Sequence, residues 1–117
     1  MSESTELNQQ VIELGTYRGA KLWRNNTGAT RRGKSYIRFG YKGSGDVIGC
    51  YRGYFISIET KTPRDRESTD QLRFIAGIRD RGGFACFVHC VEDVARFFDE
   101  IDAKLGDNNT ADDGIPF

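Results

Sequence analysis

GSGDVIGCYRGYFISIETKTPRDRESTDQ, residues 43–71, holds two apolar runs, 46–51 and 54–61, on either side of Arg52-Gly53. Runs rich in β-branched and aromatic residues around a short glycine-containing break predict a β-hairpin. A two-residue turn at Arg52-Gly53 sets Tyr51 opposite Tyr54 and, further along the strands, Asp46 opposite Glu59. Directly opposed residues share a sheet face, with Cβ atoms about 4.5–5.5 Å apart. Lys61 lies two residues beyond Glu59 and so falls on that face too. A bulge at the turn would shift the register by one and part the two acids.

Outward from the hairpin, 62–67 (TPRDRE) is a charged loop. Ser68 then opens a helix through about Arg81, apolar at Leu72, Ile75 and Ile78 and closed by Gly82-Gly83. Upstream, 4–14 predicts a helix with Gly15 as its stop, 21–24 (KLWR) a strand, 25–33 (NNTGATRRG) a polar loop, and 35–39 (SYIRF) a strand. Downstream, 84–89 predicts a buried strand and 92–105 an amphipathic helix with Gly106 at its C′ position. The order α-β-β-β-β-α-β-α implies an α/β fold, a small mixed sheet flanked by helices. One domain over 1–105 and an acidic, disordered tail over 106–117 complete the organisation expected.

A chain of 117 residues suits one core. With 38% apolar and 29% charged residues it falls in the globular class, and no apolar run nears the roughly 18–20 residues of a membrane span. The polar start MSESTELNQQ has no signal-peptide character, so a cytoplasmic protein is expected, in the host cytoplasm if viral. Cys50, Cys86 and Cys90 read as reduced, buried thiols. CFVHC, 86–90, offers Cys86, His89 and Cys90 to zinc but no fourth ligand, which favours strand thiols. His89 is the sole histidine and no nucleophile motif accompanies it. The glycines at 43, 45 and 49 lack the ending of a P-loop.

The net charge of zero conceals segregation. Residues 15–66 carry twelve Lys/Arg against three Asp/Glu, whereas 90–117 carry two against eight. The basic part can neutralise phosphates, and two of its three acids are Asp46 and Glu59. Two opposed carboxylates in a partly buried site repel each other by several kcal/mol, on the order of magnitude expected at low dielectric. A divalent cation relieves that repulsion, and oxygen ligands suit Mg²⁺ or Mn²⁺. Such an ion with a neighbouring lysine is equipped for phosphodiester hydrolysis. Glu-x-Lys alone is more often a solvated ion-pair ladder; the opposed Asp46 and the basic flank favour chemistry.

D-x12-E-x-K followed by a helix-borne glutamine resembles the PD-(D/E)xK nuclease superfamily, and within it the virus-type replication-repair nuclease (VRR-NUC) domain in its small stand-alone phage form. The matching segments are RNNTG at 24–28, IRFGYKGSGDVIG at 37–49, ISIETKTP at 56–63, STDQLRFIAGIRDRGG at 68–83 and VEDV at 91–94. The resemblance implies a restriction-endonuclease-like fold and metal-dependent cleavage of DNA, on branched or junction structures in phage replication, recombination or repair. It also implies a homodimer, since two strands need two sites. Asp46 and Glu59 would bind the metal with the Thr60 carbonyl, Lys61 and Gln71 would be catalytic, and Glu6 on the first helix would complete the metal set. Gly45 stands where the superfamily has proline. Gln71 has a second reading, since Ser68-Thr69-Asp70-Gln71 is a capping box. Glu6 can equally be a helix-surface acid.

For DNA contacts, Arg24, Asn25 and Asn26 sit on a polar loop at a strand end. Arg31, Arg32, Lys34, Lys42, Ser44, Arg64 and Arg66 supply a phosphate grip that depends on structure more than on base sequence. The loop at Asn25 can alternatively form a local Asx turn. The tail Asp112-Asp113-Gly114-Ile115-Pro116-Phe117 resembles the acidic tip of bacterial single-stranded-DNA-binding protein. Asp112, Asp113, Ile115, Pro116 and Phe117 would then dock proteins that read that tip, or fold back over the basic segment; an inert tail is the alternative.

Overall fold

In a computed structural model residues 3–106 are described. The chain runs α1 (Glu3–Tyr17), β1 (Lys21–Arg24), β2 (Gly28–Arg32), β3 (Ser35–Phe39), β4 (Val47–Tyr51), β5 (Tyr54–Thr60), α2 (Thr69–Asp80), β6 (Phe84–Val88) and α3 (Val91–Leu105). Asp112, Asp113, Ile115, Pro116, Phe117 and the expected disorder of the tail lie outside the described residues.

The β4–β5 hairpin adopts the register of a two-residue turn, Tyr51 opposite Tyr54 and Val47 opposite Ile58. Both turn residues have positive φ, 52° at Arg52 and 87° at Gly53. Left-handed pairs of this kind twist in the sense that joins two strands without splaying them. The conformation is uncommon for arginine, and its guanidinium is anchored on both sides. Nη1 lies 3.2 Å from Asp102 Oδ1 and Nη2 donates to the Gly106 carbonyl at 3.0 Å. Asp102 also accepts from the Tyr51 hydroxyl at 2.7 Å and from Arg18 at 3.2 Å, tying the ends of α1 and α3 to the turn. Burial pushes the Asp102 carboxyl up, but hydrogen bonds from Tyr51, Arg52 and Arg18 outweigh it and hold the pKa below its ordinary value. Asp102→Ala is expected to lower stability by about 1–3 kcal/mol, the range for charged hydrogen bonds. Urea denaturation measures it, and a loss under a few tenths of a kcal/mol would show that the turn holds without this anchor.

Strand order in the main sheet is β1-β4-β5-β6, with β1, β4 and β5 antiparallel and β5–β6 parallel. Parallel neighbours need a crossover, and α2 provides it. One sheet face carries Leu22, Val47, Ile56, Ile58 and Val88 into the core with Leu7 and Val11 of α1 and Val94, Phe98 and Ile101 of α3. Among the described residues the opposite face, which bears Ile48, Phe55, Ser57 and Glu59, is covered only by α2, toward β6. Among the described residues no helix is long and apolar enough to cross a membrane.

The structure departs from the sequence expectations at 28–32, at Gly15 and at Cys50. Residues 28–32 form β2 and pair with β3 as a separate two-stranded sheet, instead of lying in a loop. Cross-strand pairing with β3 orders this polar stretch although it buries no apolar stripe. Gly15 does not stop α1, which continues to Tyr17. It is buried where a Cβ would run into the Leu22 side chain, so its lack of a side chain lets α1 lie close to β1. Cys50 is exposed, because its sheet face is left open between β1 and α2; Cys86 and Cys90 are partly buried, and all three thiols are free.

Candidate active site

Continued by one step, the hairpin register brings Asp46 opposite Glu59. Asp46 is set by its approach to the strand. The Gly45 amide donates to Ser57 Oγ at 3.0 Å, and a Cβ on residue 45 would sit 2.5 Å from that oxygen and 2.8 Å from the Ile58 carbonyl. Only glycine permits this contact. Gly45→Ala is expected to displace Asp46 and to cost about 1–3 kcal/mol, as overpacking does; thermal melting and cation affinity measured together check both effects.

Asn25 straps the same turn from β1. Its Nδ2 donates to Ser44 Oγ at 2.7 Å and to the Gly45 carbonyl at 2.8 Å, and its amide donates to the Asp46 carbonyl at 2.8 Å. Ser44 in turn donates to the Tyr41 carbonyl at 2.6 Å. Asn25 and Ser44, expected as DNA contacts, have their side chains bonded within the loop that delivers Asp46, and both border the groove beside α2. Nor does the Asn25 side chain form a local Asx turn: its partners come from the connection between β3 and β4.

On the far side, Asp46 Oδ2 accepts from the Thr60 amide at 3.0 Å and lies 2.9 Å from Thr60 Oγ1. Thr60 Oγ1 is also 2.9 Å from the Asn8 side-chain oxygen. One hydroxyl hydrogen serves one acceptor, so an Asn8 amide turned to present its nitrogen completes both contacts. Asn8 and Ser57 are buried supports that the sequence reading missed. The signals were there: Asn8 borders the Leu7–Val11 apolar stripe, and Ser57 interrupts the apolar strand.

Glu59 is 8% exposed and touches the Asp46 carboxyl. Burial, then the Asp46 charge and the contact with it, push the Glu59 pKa from its ordinary 4.5 up to about 8, against the opposing pull of Lys61. Lys61, 5% exposed, donates through Nζ to the Arg66 carbonyl at 2.8 Å and to Gln71 Oε1 at 2.7 Å. The ammonium also lies 5.6 Å from the Phe87 ring centroid. Gln71 donates through Nε2 to Glu59 Oε2 at 3.0 Å. Both readings of Gln71 hold together. Ser68 Oγ accepts from the Gln71 amide at 3.1 Å and Gln71 Oε1 accepts from the Ser68 amide at 3.0 Å, so the capping box is closed while the same side chain bridges Glu59 and Lys61. The first turn of α2 is thereby locked to the end of β5.

Glu6 does not join this cluster. It is exposed on α1 and borders a groove with Thr62, Pro63, His89 and Glu92. Among the described residues no three His, Cys, Asp or Glu side chains converge as ligands. What α1 contributes to the site is Asn8, whose neighbour Leu7 turns toward the core while Glu6 faces outward. Cys86, His89 and Cys90 likewise stay apart as ligands. Burial pushes the Cys86 thiol up to about 12, His89 is exposed with Nδ1 3.5 Å from Asp93, and Cys90 precedes α3.

A divalent cation fits the donor set. Two carboxyls are in contact where the surroundings resist both charges at once, and hard oxygen donors suit Mg²⁺ or Mn²⁺. Asp46, Glu59 and the Thr60 backbone would hold it. Around the site, Arg24, Asn26, Arg64 and Arg66 are exposed, as are Arg31, Arg32 and Lys34 on the β2–β3 hairpin. Lys42 faces Asp70 at 3.3 Å. Asp65 caps the Thr62 amide at 2.9 Å, giving order to the loop that carries Arg64.

No protein-family model and no curated protein sequence matches this chain.

Proposed function

We propose that this chain is a metal-dependent DNA endonuclease of the VRR-NUC type, with a restriction-endonuclease-like fold, acting on branched or junction DNA. The observation that carries the reading is the convergence of Asp46, Glu59, Lys61 and Gln71 through direct contacts at one end of the sheet. Asp46, Glu59 and the Thr60 carbonyl hold Mg²⁺ or Mn²⁺, which when bound supplies Lewis acidity toward a phosphoryl oxygen. Lys61, directed by Gln71 and the Arg66 carbonyl, places a fixed positive charge where negative charge develops on the phosphate. Arg24, Arg31, Arg32, Lys34, Lys42, Arg64 and Arg66 attract the backbone on either side.

Two such chains as a homodimer would cut both strands of a junction. The setting is cytoplasmic, and Asp112, Asp113, Ile115, Pro116 and Phe117 recruit proteins that bind acidic single-strand-binding-protein tips. Labelled junction, flap, duplex and single-strand DNA incubated with Mg²⁺ or Mn²⁺ test the reading. Cleavage of the junction by wild type and its loss in Lys61→Ala are expected. Flap or end cleavage alone would make the chain a nickase or exonuclease. DNA binding with no cleavage by wild type would make it an adaptor.

A further inference from the structure

We infer that the open sheet face beside α2 binds an unpaired stretch of DNA strand, stacking its bases next to the carboxylate pair. This deepens the nuclease reading and rests on it for the choice of DNA. A groove of about 680 Å³ lies between α2, the β4–β5 surface and the 41–44 loop, with Ile48 and Phe55 on its floor and Phe74 and Ile78 on its wall. Tyr41 stands at the lip, its ring centroid 5.5 Å from that of Phe74. Trp23 pairs with Ile48 in register and therefore occupies the same face. These rings are open to solvent: Tyr41 is 73% exposed, Trp23 50% and Phe55 39%.

The rim is basic. Lys42, Arg73 and Arg81 border the groove against one acid, Asp70, which Lys42 already pairs. Arg73 makes no ion pair or hydrogen bond among the described residues, so its charge is available. Exposed aromatic faces within a cationic groove are the composition that holds single strands, where each unpaired base offers a face and the phosphates meet the rim. A duplex keeps its bases stacked on one another and offers these rings no free base face. The groove also leads to the chemistry, since Asp70 adjoins Gln71, and Gln71 bonds Glu59. Phe55 on the groove floor and Glu59 also lie on the same face of β5, so a strand seated there shares that face with the carboxylate pair.

Trp23 is the only tryptophan and reports on this face. Its fluorescence, titrated with oligothymidylate in EDTA so that no cleavage intervenes, should show saturable quenching, with blunt duplex much weaker. Phe55→Ala and the exposed Tyr41→Ala should each weaken strand affinity by about tenfold, in the range for loss of one stacking partner. Thermal melting of Tyr41→Ala establishes that the variant is folded. Absence of quenching, equal affinity for blunt duplex, or unchanged affinity in both variants overturns the inference. Quenching instead by a peptide of residues 107–117, displacing oligothymidylate, assigns the groove to the tail and also overturns it. Quenching without cleavage of any DNA keeps the groove and removes the nuclease reading; cleavage without quenching does the reverse.

Discussion

Glu59→Gln should abolish the pH dependence of stability that the cation-free protein shows between about pH 5 and 8. Folded Glu59 titrates near 8, against an ordinary 4.5, chiefly because it is buried and then because Asp46 is beside it. Between these values the folded chain keeps a proton that the unfolded chain releases. Wild type should therefore lose stability as pH rises through this window, by at most about 1.4 kcal/mol per unit. Glutamine reproduces the protonated acid: its amide can donate toward Asp46 while its oxygen accepts from Gln71. The variant should be at least as stable as wild type at pH 8 and should lack the slope. Denaturant melts across pH in EDTA measure this, and equal slopes in both proteins would refute the role given to Glu59.

Lys61→Ala has the second large effect, on rate. Nζ is fixed by two oxygens and shielded from water, so its charge is oriented before substrate arrives. Loss of one preorganised electrostatic group costs roughly 10²–10³ in rate. Arginine should not rescue it, because the planar guanidinium cannot replace a compact ammonium between the Arg66 carbonyl and Gln71. Lys61 also pulls the Glu59 pKa down, so its removal should carry the fall in stability to higher pH. Single-turnover cleavage rates and pH melts of the same variant test both consequences. A rate within threefold of wild type would remove Lys61 from the chemistry.

The hairpin and the opposition of its acids were legible because a two-residue turn leaves one register, and the alternation of side chains does the rest. β2 was not legible. Its polar residues carry no burial pattern, and the partner that makes them a strand lies in β3. Gly15 looked like punctuation because the neighbour that requires its small size, Leu22, comes from the next element. Glu6 was named by resemblance and Asn8 was not singled out, because rotation about α1 decides which polar side chain reaches β5, and that is Asn8. Asn25 and Ser44 read as surface polar residues until the loop folds and pairs them. Gln71 needed no choice, since the hydrogen bonds of the cap and of the site use different atoms and free lone pairs of one amide.

Whether the Asp46–Glu59 pair is a cation site is tested most directly by calorimetric titration with Mn²⁺ near pH 7, repeated in buffers of different ionisation enthalpy. Wild type should bind at one site per chain with proton release, because Glu59 must give up its proton to act as a ligand. Asp46→Asn and Glu59→Gln should each abolish that binding. Failure of wild type to bind Mn²⁺, or binding that persists unchanged in both variants, would contradict the assignment of this site.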